Sequence, residues 1–468
     1  MNTHIARQRD SVTNNIIVAI SLFVAGLVYI SPKPSGYEMM FLHPLIFGLY
    51  YKVCKPLKEA KFIRASLFVL FVTMFIRYLI SPLSLVLGEY PFAGVNDPSS
   101  TAKGMWLMVY EEVLVFILIQ RFGKRLIENN GEGNKNDGVI PLNNNIYLTG
   151  LVLFGAMALL FNSDIQQRYH FIFKLTGEEY DITEKYMEVS AFFSFIINAA
   201  RYVLILLLIS FFYKKYSVKP SSRYPLYSLA IIGLNMLWVF DISRFNLIIP
   251  SVVLAYLVIQ LYPKHRGRIL MVALAAGLFV VGFTTFIKMF SDSRGGSDQA
   301  QEATSWASMI QMYFMGQRDV GIGVYTAEKV KGLGIYLWGN DVIGQIMFIN
   351  KYHVAEVTPE VIYNYDYNQG PWVDKILPNL CAGYTYFGTI LSPIITLLYV
   401  RLALFFDLKS ITSKKVQYKY LSIYGAIMCS VVMMQSHVMI LNVLVNTLLL
   451  IYIIFKINDL LFKKKIKI

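Results

Sequence analysis

The sequence has little of what a soluble or metal-bound fold would use. Charged residues make up only 15% of the 468 positions, and there are three cysteines and six histidines. Cys54, Cys381 and Cys429 are expected at a cytoplasmic helix end, an outer helix end and a span interior. No two of them are placed for a disulfide, and no CxxC spacing points to zinc. The histidines are scattered, so neither a metal nor a resident cofactor is expected. GxxxxGK(S/T), HExxH and GxSxG are all missing, which leaves nucleotide-driven, zinc-protease and serine-hydrolase chemistry without support. There is no long-period internal repeat.

Apolar sequence is abundant. Hydrophobic residues are 56% of the chain and the mean hydropathy is +0.51. They come in blocks matching the roughly 20 helical residues that cross a bilayer core. The blocks predict an all-α polytopic membrane protein of about twelve transmembrane helices. Six spans are expected near Ile16–Ile30, Met39–Val53, Ala65–Leu87, Gly104–Ile119, Ile146–Phe161 and Ala191–Phe212. Six more are expected near Leu226–Phe240, Phe245–Leu261, Ile269–Phe290, Gly383–Phe406, Leu421–Met434 and Val438–Phe455. The divisions at Asp241–Arg244 and Gln435–His437 read either as outer turns or as breaks in longer stretches. The first block follows Arg7 and Arg9 but lacks a small-x-small cleavage site, so it reads as an uncleaved anchor. Three regions result: 1–290 with nine spans, 291–376 as one large periplasmic loop, and 377–468 with three spans and a basic tail.

Charge orients the bundle. The segments 1–15, 52–64, 121–145, 213–225, 263–268, 407–420 and 456–468 hold 27 Lys and Arg against 7 Asp and Glu. The remainder holds 16 basic and 22 acidic residues. The positive-inside rule then puts both termini in the cytoplasm. The net charge of +14 follows from insertion in a bilayer, and no aromatic-basic module suggests nucleic acid.

Charged groups inside spans are the strongest local signal. Arg77 and Arg201 each lie about ten residues from the outer end of an expected span, where an arginine usually faces a partner or a wet cavity. Glu111 and Glu112 are candidate partners, and an Arg–Glu pair that only fixes helix packing is the alternative reading. Arg244, Arg294 and Arg318 are expected on the outer face, with Lys288 at the mouth of the ninth span. Guanidinium groups bind phosphate bidentately and keep their charge, so such a set suits a lipid-linked diphosphate. The 86-residue loop is rich in aromatics, among them Tyr313 and Trp372. Aromatic faces of this kind stack on sugar rings, or else form the loop's own core. His353 is a candidate general base, with His437 and Asp241 as others.

Four stretches carry a family resemblance: Phe75-Ile-Arg77-Tyr-Leu-Ile-Ser-Pro82, Asp241-Ile-Ser-Arg244, Tyr313-Phe-Met-Gly316-Gln-Arg318, and the run from Lys375 through Pro378 and Gly383 to Gly388. With the span layout, they resemble the O-antigen polymerase (Wzy-type) family of repeat-unit polymerases. An Arg-x15-Gly spacing described for that family's outer loops is met by Arg318 and Gly334. The resemblance implies a glycosyltransferase C-like bundle in a bacterial inner membrane. It implies a metal-independent enzyme joining undecaprenyl-diphosphate-linked glycans, with a polysaccharide chain-length regulator as a partner. On that basis Arg77, Arg201, Arg244 and His353 are expected to be catalytic. Arg294, Arg318, Lys288, Glu112, Tyr313 and Trp372 are expected to bind substrate. A lipid-linked oligosaccharide flippase is the main rival, and an O-acyltransferase is another. Flippases usually have short loops and two similar halves, neither of which is evident here.

Overall fold

The computed structural model describes residues 2–60, 64–88, 90, 94–128, 138–162, 169–171, 187–240, 244–272, 275, 306–347, 349–355, 357–368 and 375–462. Lys288, Arg294, Trp372 and Asp241 lie outside them. The helices in chain order are α1 (Asn2–Ile30), α2 (Leu42–Val53), α3 (Lys55–Ala60), α4 (Ala65–Leu87), α5 (Pro98–Phe122), α6 (Lys124–Glu128), α7 (Ile146–Phe161), α8 (Met187–Val218) and α9 (Arg223–Leu237). They continue as α10 (Arg244–Leu261), α11 (Trp306–Tyr313), α12 (Gln317–Lys329), α13 (Gly334–Gly344), α14 (Pro359–Asn368), α15 (Asn379–Leu391), α16 (Ile394–Thr412), α17 (Val416–Ser430) and α18 (His437–Phe462). Among the described residues there is also a short antiparallel pair, β1 (Tyr169–Phe171) with β2 (Trp238–Phe240).

The protein is an α-helical membrane protein. Among the described residues, Val12–Ile30, Ala65–Leu87, Phe193–Val218 and His437–Phe462 are long and apolar enough to cross a bilayer. Two sharply bent pairs raise the number to as many as six. The expected span Met39–Val53 is the 12-residue α2, and α7 has the expected bounds Ile146–Phe161 but at 16 residues is a shorter apolar helix than those four. The 25-residue α5 is about 37 Å long at 1.5 Å per residue, and it carries Lys103, Glu111, Glu112 and Arg121.

The stretch Gly383–Phe406, expected as a single span, is two helices bent by 103°. Gly388 takes φ 77°, ψ −173°, a left-handed conformation open to glycine. The chain then doubles back until the Ser392 carbonyl lies where a Cβ on Gly383 would meet it at 2.1 Å. Pro393, with no N–H to donate, separates this turn from α16.

Contacts divide the chain into two units. The first comprises 1–132, 297–408 and 425–446, and the second 133–296, 409–424 and 447–468. In the first unit, α1 packs on α2 and α2 on α5, while α12 lies along α5. The α12–α5 approach is close because Gly104 and Gly321 face it; a Cβ on Gly321 would meet Thr101 Oγ1 at 2.8 Å. Asp97 starts α5 by accepting from the Ser100 N–H at 2.9 Å, with Pro98 next to it. In the second unit α7 packs against α8, where a Cβ on Gly155 would meet that of Ala200 at 2.3 Å. Asn145 caps α7 through the Leu148 N–H and bonds Asn458 of α18.

Candidate functional site

The site begins with a fault in α4. Pro82 cannot donate a hydrogen bond to the Tyr78 carbonyl four residues back. The ladder widens there to a π turn over Ile76–Ile80, and the Ser81 N–H bonds the Ile76 carbonyl. Such π-bulges occur often at functional sites. This one places Arg77 in the interior with no exposed surface.

Arg77 Nη2 lies 3.0 Å from Glu111 Oε2 of α5. Tyr78 donates to the same oxygen at 3.1 Å, and Thr396 of α16 donates to Glu111 Oε1 at 2.6 Å. Glu111 is therefore fully engaged. Glu112, one residue on and about 100° around the helix, faces a different way. Its Oε2 lies 3.5 Å from His43 Nδ1 of α2, and both side chains are fully buried. Neither ring nitrogen of His43, neither oxygen of Glu112, nor Arg77 Nε and Nη1 has a hydrogen-bond partner among the described residues. Buried polar groups are normally satisfied, so this cluster of unused bonding capacity is a candidate place to hold a ligand.

The α11–α12 turn is keyed into the same fault. Met315 takes φ 48° and the Gly316 N–H bonds the Gln311 carbonyl, which makes a tight reversal. Gln311 donates to the Ser81 carbonyl at 3.1 Å and to Ser81 Oγ at 2.7 Å. Its side-chain oxygen Oε1 accepts the Arg318 N–H at 3.1 Å. Ser81 donates to Gln317 Oε1 at 2.7 Å, and Gln317 donates to the Arg77 carbonyl at 3.2 Å. A Cβ on Gly316 would meet Gln311 Oε1 at 2.1 Å, so nothing larger fits. Arg318 is buried beside Asp319 at 3.6 Å, with its guanidinium 5.1 Å from the centre of the Tyr367 ring. Farther along, Lys103 pairs with Glu328 at 2.5 Å while Tyr384 donates to the same carboxylate. Lys329 pairs with Asp366, which also accepts from Thr326 at 2.8 Å.

A second polar cluster joins α13, α14, α15 and α18. Tyr386 donates to Asp341 and its oxygen lies 3.4 Å from His437 Nε2. Burial raises the Asp341 carboxyl to about 6. Burial and the nearby Asp341 charge raise Glu360 to about 7. Both carboxyls can therefore exchange protons near neutrality. Asn379 holds this corner together: its amide donates to the carbonyls of Val432 (2.5 Å) and Gln435 (2.8 Å), and its oxygen accepts the His437 N–H at 2.7 Å.

Within the first unit, the Arg77 carbonyl and the Arg318 N–H are joined through Gln317, Ser81 and Gln311, and Glu112 lies beside His43 one residue on from Glu111, the partner of Arg77. His353 is elsewhere in that unit, half-buried with its ring against Gly344. Tyr313 sits on α11, 40% exposed. Gly334 packs against the Tyr386 carbonyl, 2.5 Å from where its Cβ would be, so close packing accounts for this glycine. Arg201 belongs to the second unit, where Nε and Nη2 donate to the Asn235 side-chain and backbone oxygens at 2.6 and 2.7 Å. Arg244 is the first residue of α10. His43, Gln311, Gln317 and Asp341 did not emerge from the sequence as candidates. For His43 a signal existed: two adjacent carboxylates facing one intramembrane arginine leave a charge unmatched, and His43 lies within an apolar block. No group of three or more metal-binding side chains occurs among the described residues. Comparison with family models, curated proteins and solved structures returns no match.

Proposed function

We propose that the protein polymerises oligosaccharide repeat units carried on undecaprenyl diphosphate, on the periplasmic face of a bacterial inner membrane, within a bundle of about twelve spans whose termini are cytoplasmic. The observation carrying this reading is the buried Arg77 cluster, with unfilled hydrogen-bonding capacity, over which the α11–α12 turn and Arg318 are fastened. In the reaction, a sugar hydroxyl of the incoming repeat attacks the anomeric carbon of the growing glycan. The bond from that carbon to the diphosphate oxygen breaks, the hydroxyl proton passes to a base, and undecaprenyl diphosphate leaves. Catalysis then depends on cations placed where negative charge develops. Arg77 takes that role, and Arg318, Glu112, Tyr313 and Trp372 hold substrate. His353 is the proposed base. No nucleotide or metal enters these steps.

Deletion of the gene tests the reading in the cell. Surface glycan capped with a single repeat, replacing the ladder, is the expected phenotype. Complete loss of surface glycan with repeats trapped inside would instead indicate a flippase, and normal chain lengths with altered acetylation would indicate an acyltransferase.

A further inference from the structure

The buried cluster does not balance its own charge. Arg77 is matched by Glu111, and Arg318 by Asp319. Among the described residues, Glu112 is left over, with His43 Nδ1 at 3.5 Å. The other titratable groups facing Arg77 are the Tyr78 hydroxyl of α4 and the Cys381 thiol of α15, and neither supplies positive charge. An unmatched carboxylate is strongly disfavoured away from water and is relieved by taking up a proton. His43 is an acceptor within reach, and neither of its ring nitrogens has a hydrogen-bond partner among the described residues.

We propose that His43 and Glu112 form a proton-binding couple that loads further when an anion engages Arg77. The proposal rests on the reading of this cluster as a diphosphate site and assigns the means by which that site accepts its charge. With one proton shared by the couple, the cluster is neutral, and Arg77 offers Nε and Nη1 to a ligand. A diphosphate brings at least two negative charges beside two carboxylates. A second proton on the couple turns Glu112 into a neutral acid and His43 into a cation, leaving two positive groups against one carboxylate. No other atom is transferred: the proton comes from solvent on binding and returns to it on release. By linkage, an anion that recruits one proton binds about tenfold tighter for each unit the pH falls.

The test is calorimetric titration of the full chain in detergent with undecaprenyl diphosphate, in two buffers of different ionisation enthalpy. The wild type is expected to take up about one proton more per bound lipid than the double variant His43→Gln, Glu112→Gln. Equal uptake by the two proteins overturns the couple while leaving the diphosphate site standing. If the wild type does not bind the lipid at all, both the couple and the proposed function fall. Should the double variant not fold, infrared difference spectra of the wild type decide. Growth of a protonated-carboxyl or imidazolium band on adding the lipid, absent in the single variants Glu112→Gln and His43→Gln respectively, supports the couple. A spectrum in which neither band grows overturns it.

Discussion

Replacing Arg77 with alanine is expected to destabilise the protein by about 3–5 kcal/mol, the usual cost of removing one member of a buried ion pair. The loss arises mainly from what is left behind. Glu111 would keep its bonds from Tyr78 and Thr396 but lose its cation. Arg77→Ala combined with Glu111→Gln should therefore recover much of the lost stability, since the double change removes both charges together. Thermal unfolding in detergent measures both effects, and an unchanged midpoint in the single variant would show that the pair does not hold the bundle. Chain-length analysis separates stability from function. The double variant, though folded, is expected to make no long chains, because the guanidinium itself is the proposed partner of the diphosphate.

The second large effect is expected at Asn379, whose single amide satisfies three backbone groups at the turn before α18. Asn379→Ala would orphan the carbonyls of Val432 and Gln435 and the N–H of His437 in an interior where Asn379 itself has no exposed surface. Each buried unsatisfied group costs about 1–3 kcal/mol, so the variant should be among the least stable single changes in the unit. Asn379→Asp should be intermediate, since it keeps the acceptor for His437 but sets a carboxylate oxygen against two carbonyls. The unfolding midpoints of the two variants, ranked against wild type, check the argument; an alanine variant as stable as wild type would refute it.

Some of this was legible in sequence and some was not, for physical reasons. Ala65–Leu87 was expected as a span and is a 23-residue apolar helix with the same bounds, because unbroken hydropathy reports helix length directly. The expected span Gly383–Phe406 is broken because hydropathy is blind to the left-handed turn at Gly388 and to the backbone approach that Gly383 allows. Arg77 stood out as a charge in an apolar block, and Glu111 was foreseen as one of two partners. Which glutamate it would be depended on the rotation of α5 about its axis, set by packing against α2, α12 and α16. The seating of the α11–α12 turn on Ser81 was invisible, since it joins residues some 230 positions apart through small side chains with no periodic signature. Arg201 was expected as an intramembrane cation; that it donates to Asn235 on the neighbouring helix had no signal in the sequence, because Asn235 is uncharged.

Elongation by the purified protein tests the central claim most directly. Wild-type protein in detergent, given a synthetic undecaprenyl-diphosphate-linked repeat with chelator present and no nucleotide, is expected to produce a ladder rising by whole repeats and to release undecaprenyl diphosphate in step. The Arg77→Ala, Glu111→Gln variant is expected to leave the substrate as single repeats. If wild-type protein, folded and at full occupancy of substrate, leaves the lipid-linked repeat unextended, the polymerase account of this cluster is wrong.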